Sequence, residues 1–124
     1  MNSKLVMVLR ILLGLFVLVF GLNKFFHFIP MEAPEGDAGA FFGALISSKT
    51  LILAALVEIL SGLALLFNKY AALMLVILMS VSVNAVLFHA VLDPGNIGGA
   101  LVLLILNVVL LYAYKDKYQG MLGG

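Results

Sequence analysis

Residues 5–29, LVMVLRILLGLFVLVFGLNKFFHFI, form an uninterrupted apolar run whose strongly polar members are Arg10, Asn23, Lys24 and His27. A helix needs about 20 such residues to cross the ~30 Å hydrocarbon layer of a bilayer, so this run suffices for one span. Pro30 stops it. Lys4 and Arg10 ahead of an apolar run also fit a secretory signal. However, the run ends in Phe-His-Phe-Ile-Pro, with no small-x-small cleavage pattern there, so it reads as a retained helix.

The whole chain has the same character. Its 124 residues are 65% hydrophobic and 10% charged, whereas soluble domains are about half apolar and about a quarter charged. A soluble fold of this size could not cover its core with so little polar surface. The natural solvent is lipid. Net charge is +1 and the seven Lys and Arg form no continuous stripe, so nucleic acid is not an expected partner. With no cysteine, disulfides, thiolate metal sites and Cys-x-x-Cys chemistry are all excluded.

Three further spans follow, over about 50–67, 70–92 and 97–114. Met31 to Asp37, with Glu32, Glu35, Asp37, Pro34 and Gly36, reads as a water-exposed loop. Ala38 to Ile46 is too apolar for a solvated loop and too short to span. It is expected to form an interfacial or re-entrant helix at the outer surface, over the bundle mouth. Asn68-Lys69 makes a tight connection, and Asp93-Pro94-Gly95-Asn96 is a strong turn signal. Short connections make an all-α, antiparallel four-helix bundle the expected architecture, a single transmembrane domain over 1–124.

Polar side chains within spans carry the functional information, since an ionisable group at depth costs roughly 2.5–3.5 kcal/mol on insertion scales. At ~1.5 Å of rise per residue, Glu58 lies ~12 Å below the outer surface, and Asn84 and Asn107 come out at similar depth. Lys24, His27 and His89 lie toward the same side. A polar pocket in the outer half, made of Lys24, His27, Glu58, Asn84, His89 and Asn107, is therefore expected. Glu58 would accept or relay a proton, with Lys24 or His27 as its partner. Arg10, Gly14, Val17, Gly21 and Lys24 share one face of the first span, and Gly62 lies one turn from Glu58. Gly14, Gly21 and Gly62 are the expected helix-packing positions. Asn84 and His89 are about 140° apart around their helix, so they cannot both face the bundle axis.

Arg10-x3-Gly14, Gly21-x2-Lys24, Glu58-x3-Gly62, His89 late in the third span and Asn107 in the fourth resemble the DoxX family of small four-helix membrane proteins. The resemblance implies a compact four-helix fold and association with redox systems, since the family is named after a quinol-oxidase or thiosulfate:quinone oxidoreductase subunit. On this reading the chain is an accessory subunit of a membrane oxidoreductase or a quinone- or lipid-binding protein. The alternative is a non-catalytic assembly factor or chaperone, in keeping with the wider superfamily's resemblance to eukaryotic receptor-assembly chaperones. A small proton-coupled exporter fits less well, because the essential acid of four-helix exporters lies in the first helix and here that helix has none. Whether the chain is an enzyme stays open. A quinone or lipid is the expected ligand. Two histidines at helix ends are a weak basis for haem, and no metal site is expected. Expected partners are membrane lipid, another membrane protein such as an oxidoreductase subunit, or a second copy of the chain.

Orientation follows from basic residues near the span ends. Lys4, Arg10, Lys69, Lys115 and Lys117 lie toward one side, Lys24 and Lys49 toward the other. This predicts a multi-pass protein of the cell (inner) membrane with both termini cytoplasmic. Single cysteines in this cysteine-free chain test it with an impermeant reagent on whole cells. Residue 35 should label and residue 117 should not; the reverse pattern would invert the topology.

Overall fold

The computed structural model describes residues 2–28 and 34–123. Helices dominate the described residues, and no strand occurs among them. The main elements are α1 (Ser3–Phe26), α2 (Gly36–Ser47), α3 (Thr50–Phe67), α4 (Ala71–Leu92), α5 (Ile97–Ala113) and a short terminal α6 (Gln119–Leu122). Of these, α1, α3, α4 and α5 (the last with the 3-10 turn before it) are long and apolar enough to cross a membrane. They form a closed ring in which α1 packs on α3, α3 on α4, α4 on α5 and α5 on α1. Leu13, Val17, Leu65, Leu75, Leu78, Leu103 and Leu110 fill its centre.

Helix ends follow local chemistry. Asn2 caps α1, its Oδ1 accepting from the N–H of Lys4 at 2.8 Å and of Leu5 at 3.3 Å. α1 stops at Phe26 rather than at Ile29, because His27 turns left-handed (φ 52°, ψ 39°) and its N–H bonds to Asn23 O at 2.9 Å. Ile29, Pro30 and Glu32 lie outside the described residues. The α3–α4 connection uses two left-handed residues, Asn68 and Tyr70. The expected turn at Asp93 is a 3-10 turn over Pro94–Asn96, with Asn96 Nδ2 donating to both Asp93 carboxylate oxygens at 3.1 Å.

The segment between the first two spans is a 12-residue helix. At ~1.5 Å per residue it measures ~18 Å, well short of a span. It packs on α3 and α4, where the Phe41 ring stacks on Phe88 at 5.5 Å and Phe42 lies 6.4 Å from the same ring. At the opposite end, Tyr118 donates to Ala72 O at 2.6 Å and Tyr114 to Asn68 Oδ1 at 2.9 Å, fastening the tail to the α3–α4 connection. Burial pushes the Tyr118 phenol above its ordinary pKa, which keeps it a donor.

One polar clamp holds the α4–α5 side. Asn107 is fully buried; its Nδ2 donates to Leu75 O at 3.0 Å and its Oδ1 accepts from Ser82 Oγ at 2.7 Å. Asn107→Leu removes both bonds, while Ser82 keeps its second acceptor, Leu78 O. A loss of about 1–2 kcal/mol is expected, read as a lowered melting midpoint of the purified protein. Unchanged stability would show that the clamp contributes nothing.

Candidate functional site

The α1 face that meets α3 carries no side chain at Gly14 and Gly21, and α3 has a gap at Gly62. The backbones approach so closely that a Cβ on Gly62 would lie 2.8 Å from Leu18 Cβ and 2.9 Å from Gly14 O. A Cβ on Gly21 would meet Glu58 Cβ at 3.0 Å. Gly21 thus sits directly against the base of Glu58. Lys24, one turn further along α1, reaches across to the carboxylate.

The result is an ion pair with Lys24 Nζ 2.5 Å from Glu58 Oε1. Its two members differ in access: the Glu58 side chain is 4% exposed and that of Lys24 is 27% exposed. The ammonium is the one polar partner of the enclosed Glu58 Oε1 among the described residues, and Ser61 Oγ, one turn away on α3, is buried without a hydrogen bond among them. Lys24 is the pair's opening to the surroundings, and Glu58 its enclosed end.

The other expected pocket residues do not join this pair. His27 is exposed, because the left-handed turn at that residue ends the helical stripe that would have carried it inward. Asn84 is exposed on α4, with Nδ2 donating back to Ser80 O at 2.6 Å. His89 is half-buried at the end of α4, where Nδ1 lies 3.4 Å from Asp93 O and 3.5 Å from Asp93 Oδ2. Asn107 is held in the α4–α5 clamp. Six residues on four helices thus resolve into one ion pair, one structural clamp and three separate positions. No group of three His, Asp or Glu side chains suited to a metal occurs among the described residues.

Arg10 addresses the other end of α3. Its guanidinium donates to Leu65 O, and to Leu66 O at 3.3 Å. Both carbonyls lie in the last turn of α3 and carry its partial negative charge; Leu65 O also accepts from the capping Asn68 N–H at 3.4 Å. Two shallow depressions lie at this same end, one around Leu63, Phe67 and Tyr70, the other around Asn68, Tyr114 and Lys117. Neither touches the ion pair.

Comparison with known families adds one finding. The DoxX family profile matches residues 5–90, more than half of the chain. The chain belongs to the DoxX family. No curated protein and no solved structure matched it. The DoxX match takes in the whole α1–α3 contact, including Lys24, Glu58 and all three contact glycines, and ends before α5. Membership fits a multi-pass membrane protein.

Two residues escaped the sequence reading. Ser61 follows Glu58 by three positions and shares its face, a signal that was available. Ser82 had none, since Ser80 two residues away lies on the opposite side, and a helix with polar residues on both faces does not announce which is inward.

The glycine contact generates a direct test. Gly62→Ala places a methyl against backbone and should destabilise by about 1–3 kcal/mol. Gly43→Ala on α2, where a Cβ meets nothing within 4 Å, should be neutral or slightly stabilising. Equal melting midpoints for the two variants would contradict the close α1–α3 approach.

Proposed function

We propose that this DoxX protein is an accessory subunit of a membrane oxidoreductase, and that Lys24 and Glu58 form its ligand- and proton-holding group. The observation that carries this reading is the asymmetry of the pair, with an enclosed carboxylate behind a partly exposed ammonium. Burying a charge is expensive and a hydrophobic pair of like volume is often as stable, so an enclosed carboxylate in the middle of a span calls for a reason beyond packing. The redox association implied by the family resemblance supplies the context.

The ligand class that fits is an amphiphile with an acceptor oxygen at its polar end, a quinone first among them. A quinone, when bound, supplies reversible two-electron, two-proton chemistry. Lys24 Nζ would donate a hydrogen bond to such an oxygen from the lipid-facing side. This would loosen its hold on Glu58, and the freed carboxylate would then be placed to hold a proton that the ligand gives up. Ser61 Oγ, one turn away and without a hydrogen bond among the described residues, offers a second hydrogen-bonding group beside the carboxylate. We place the chain in the cell membrane with both termini in the cytoplasm, on the distribution of Lys and Arg.

Equilibrium binding of a short-chain quinone to the purified protein in lipid nanodiscs tests the reading. Wild type should bind, and Glu58→Gln should weaken binding at least tenfold while keeping its melting midpoint, because an amide oxygen can still accept from the Lys24 ammonium. Lys24→Met leaves a buried carboxylate without its cation and should both lose binding and destabilise by about 3–5 kcal/mol. Absence of quinone binding by wild type, or undiminished binding by Glu58→Gln, would overturn the proposal.

A further inference from the structure

A hydrogen-bonding side chain that faces outward from the middle of a span meets acyl chains, which offer it no partner. The outward faces of three helices respect this. At mid-span they carry Leu12 and Leu15 on α1, Leu56 and Leu60 on α3, and Val102 and Ile105 on α5, all exposed. α4 does not. Its exposed stripe runs Leu73, Ile77, Ser80, Asn84, Leu87 and Val91, and so puts an amide and a hydroxyl at its centre. Asn84 stands eight residues before the end of α4, ~12 Å in from that end.

These groups are only partly satisfied within the chain. Ser80 Oγ donates to Ile77 O at 2.7 Å and Asn84 Nδ2 to Ser80 O at 2.6 Å. The second Asn84 N–H and its Oδ1 have no hydrogen bond among the described residues. Polar side chains in membranes characteristically join helices, and an outward-facing one has unspent capacity for a helix outside the bundle.

We infer that this face of α4 is the interface of a two-fold homodimer, held by a hydrogen bond between Asn84 of one chain and Asn84 of the other. An amide is donor and acceptor at once, and so complements itself. Two copies inserted in one orientation lay their α4 helices parallel, and in-register pairing sets the two Asn84 side chains opposite each other at the same depth. A foreign helix would need a polar group of its own at that depth, whereas a second copy supplies it by symmetry. The alternating four- and three-residue spacing also suits the seam of a left-handed helix pair, in which a single Asn specifies register. The inference is independent of the role of Lys24 and Glu58, because it uses neither residue.

The cysteine-free chain allows a direct test in native membranes. Leu87→Cys places a thiol one turn from Asn84 on the stripe, and Ile105→Cys places one on the outward face of α5 as a control. Under mild oxidation at low expression, Leu87→Cys should cross-link into a dimer and Ile105→Cys should stay monomeric. Asn84→Leu, checked for an unchanged melting midpoint, should raise the dimer dissociation constant in lipid about three- to fifteenfold, the range of single interhelical hydrogen bonds in membranes. Asn84→Gln, which retains an amide, should lose less. Equal cross-linking at the two cysteines, a dimer indifferent to Asn84→Leu, a monomer at every protein-to-lipid ratio, or a different protein cross-linked at residue 87 in place of the second copy would each overturn it.

Discussion

The close approach of α1 and α3 is the contact on which the rest of the structure depends. Lipid is as apolar as leucine, so the hydrophobic effect that collapses a soluble bundle does not draw spanning helices together, and packing must do so. Gly14 and Gly21 on one side and Gly62 on the other let the backbones meet, with a would-be Cβ at Gly62 less than 3 Å from Gly14 O. The two cations of α1 flank this seam. Arg10 binds the terminal carbonyls of α3, and Lys24 binds the carboxylate in its middle. One stripe, from Arg10 through Gly14, Val17 and Gly21 to Lys24, therefore fixes separation, register and charge pairing together. A larger residue at Gly21 would press on the stem of Glu58 and disturb the pair even though it bears no charge itself.

The two sides of the ring handle polarity differently. On the α4–α5 side, Asn107 uses both ends of its amide, Nδ2 on Leu75 O and Oδ1 on Ser82, within a fully buried clamp that holds the helices together. On the α1–α3 side, burial is incomplete: Lys24 is partly open, Glu58 Oε1 has Lys24 alone as its partner and Ser61 Oγ has no hydrogen bond among the described residues. Unsatisfied buried groups are costly where no water is at hand, so the site with capacity to spare is the one where a ligand or proton has something to gain.

Much of this was legible in residue order. Span number and approximate limits followed from apolar length, the α1 stripe from its four- and three-residue steps, and the Lys24–Glu58 contact from the depth of one acid and the reach of one cation. The six-residue pocket was not legible, for reasons that differ by residue. Depth alone placed Asn84 and Asn107 beside Glu58, but depth fixes height and not azimuth. α4 carries small polar residues on opposite faces, so Ser80 with Asn84 and Ser82 with Leu78 were equally good readings of its inner face, and the second is the real one. His27 was lost to a backbone event, a left-handed residue that breaks the helical count and that a non-glycine sequence does not advertise. His89 went to a local partner four residues away, Asp93, which also receives Asn96 in the turn.

The position of each feature around the ring bears on how they can operate together. α1 neighbours α3 and α5, while α4 also neighbours α3 and α5, so α1 and α4 stand diagonally across the bundle. An outward face on α4 therefore points away from the partly exposed Lys24 edge of α1. Pairing two chains through Asn84 would leave both Lys24 edges on the outside of the dimer, open to lipid and to whatever amphiphile or subunit approaches from it. The same diagonal arrangement keeps the α4 face distant from the glycine seam. A substitution at Asn84 can thus alter association without loosening the α1–α3 contact, and one at Glu58 can alter the ion pair without touching the α4 surface. Proton handling and assembly would then be separable properties of one small bundle, each assigned to its own helix pair by where a few polar side chains fall on otherwise apolar helices.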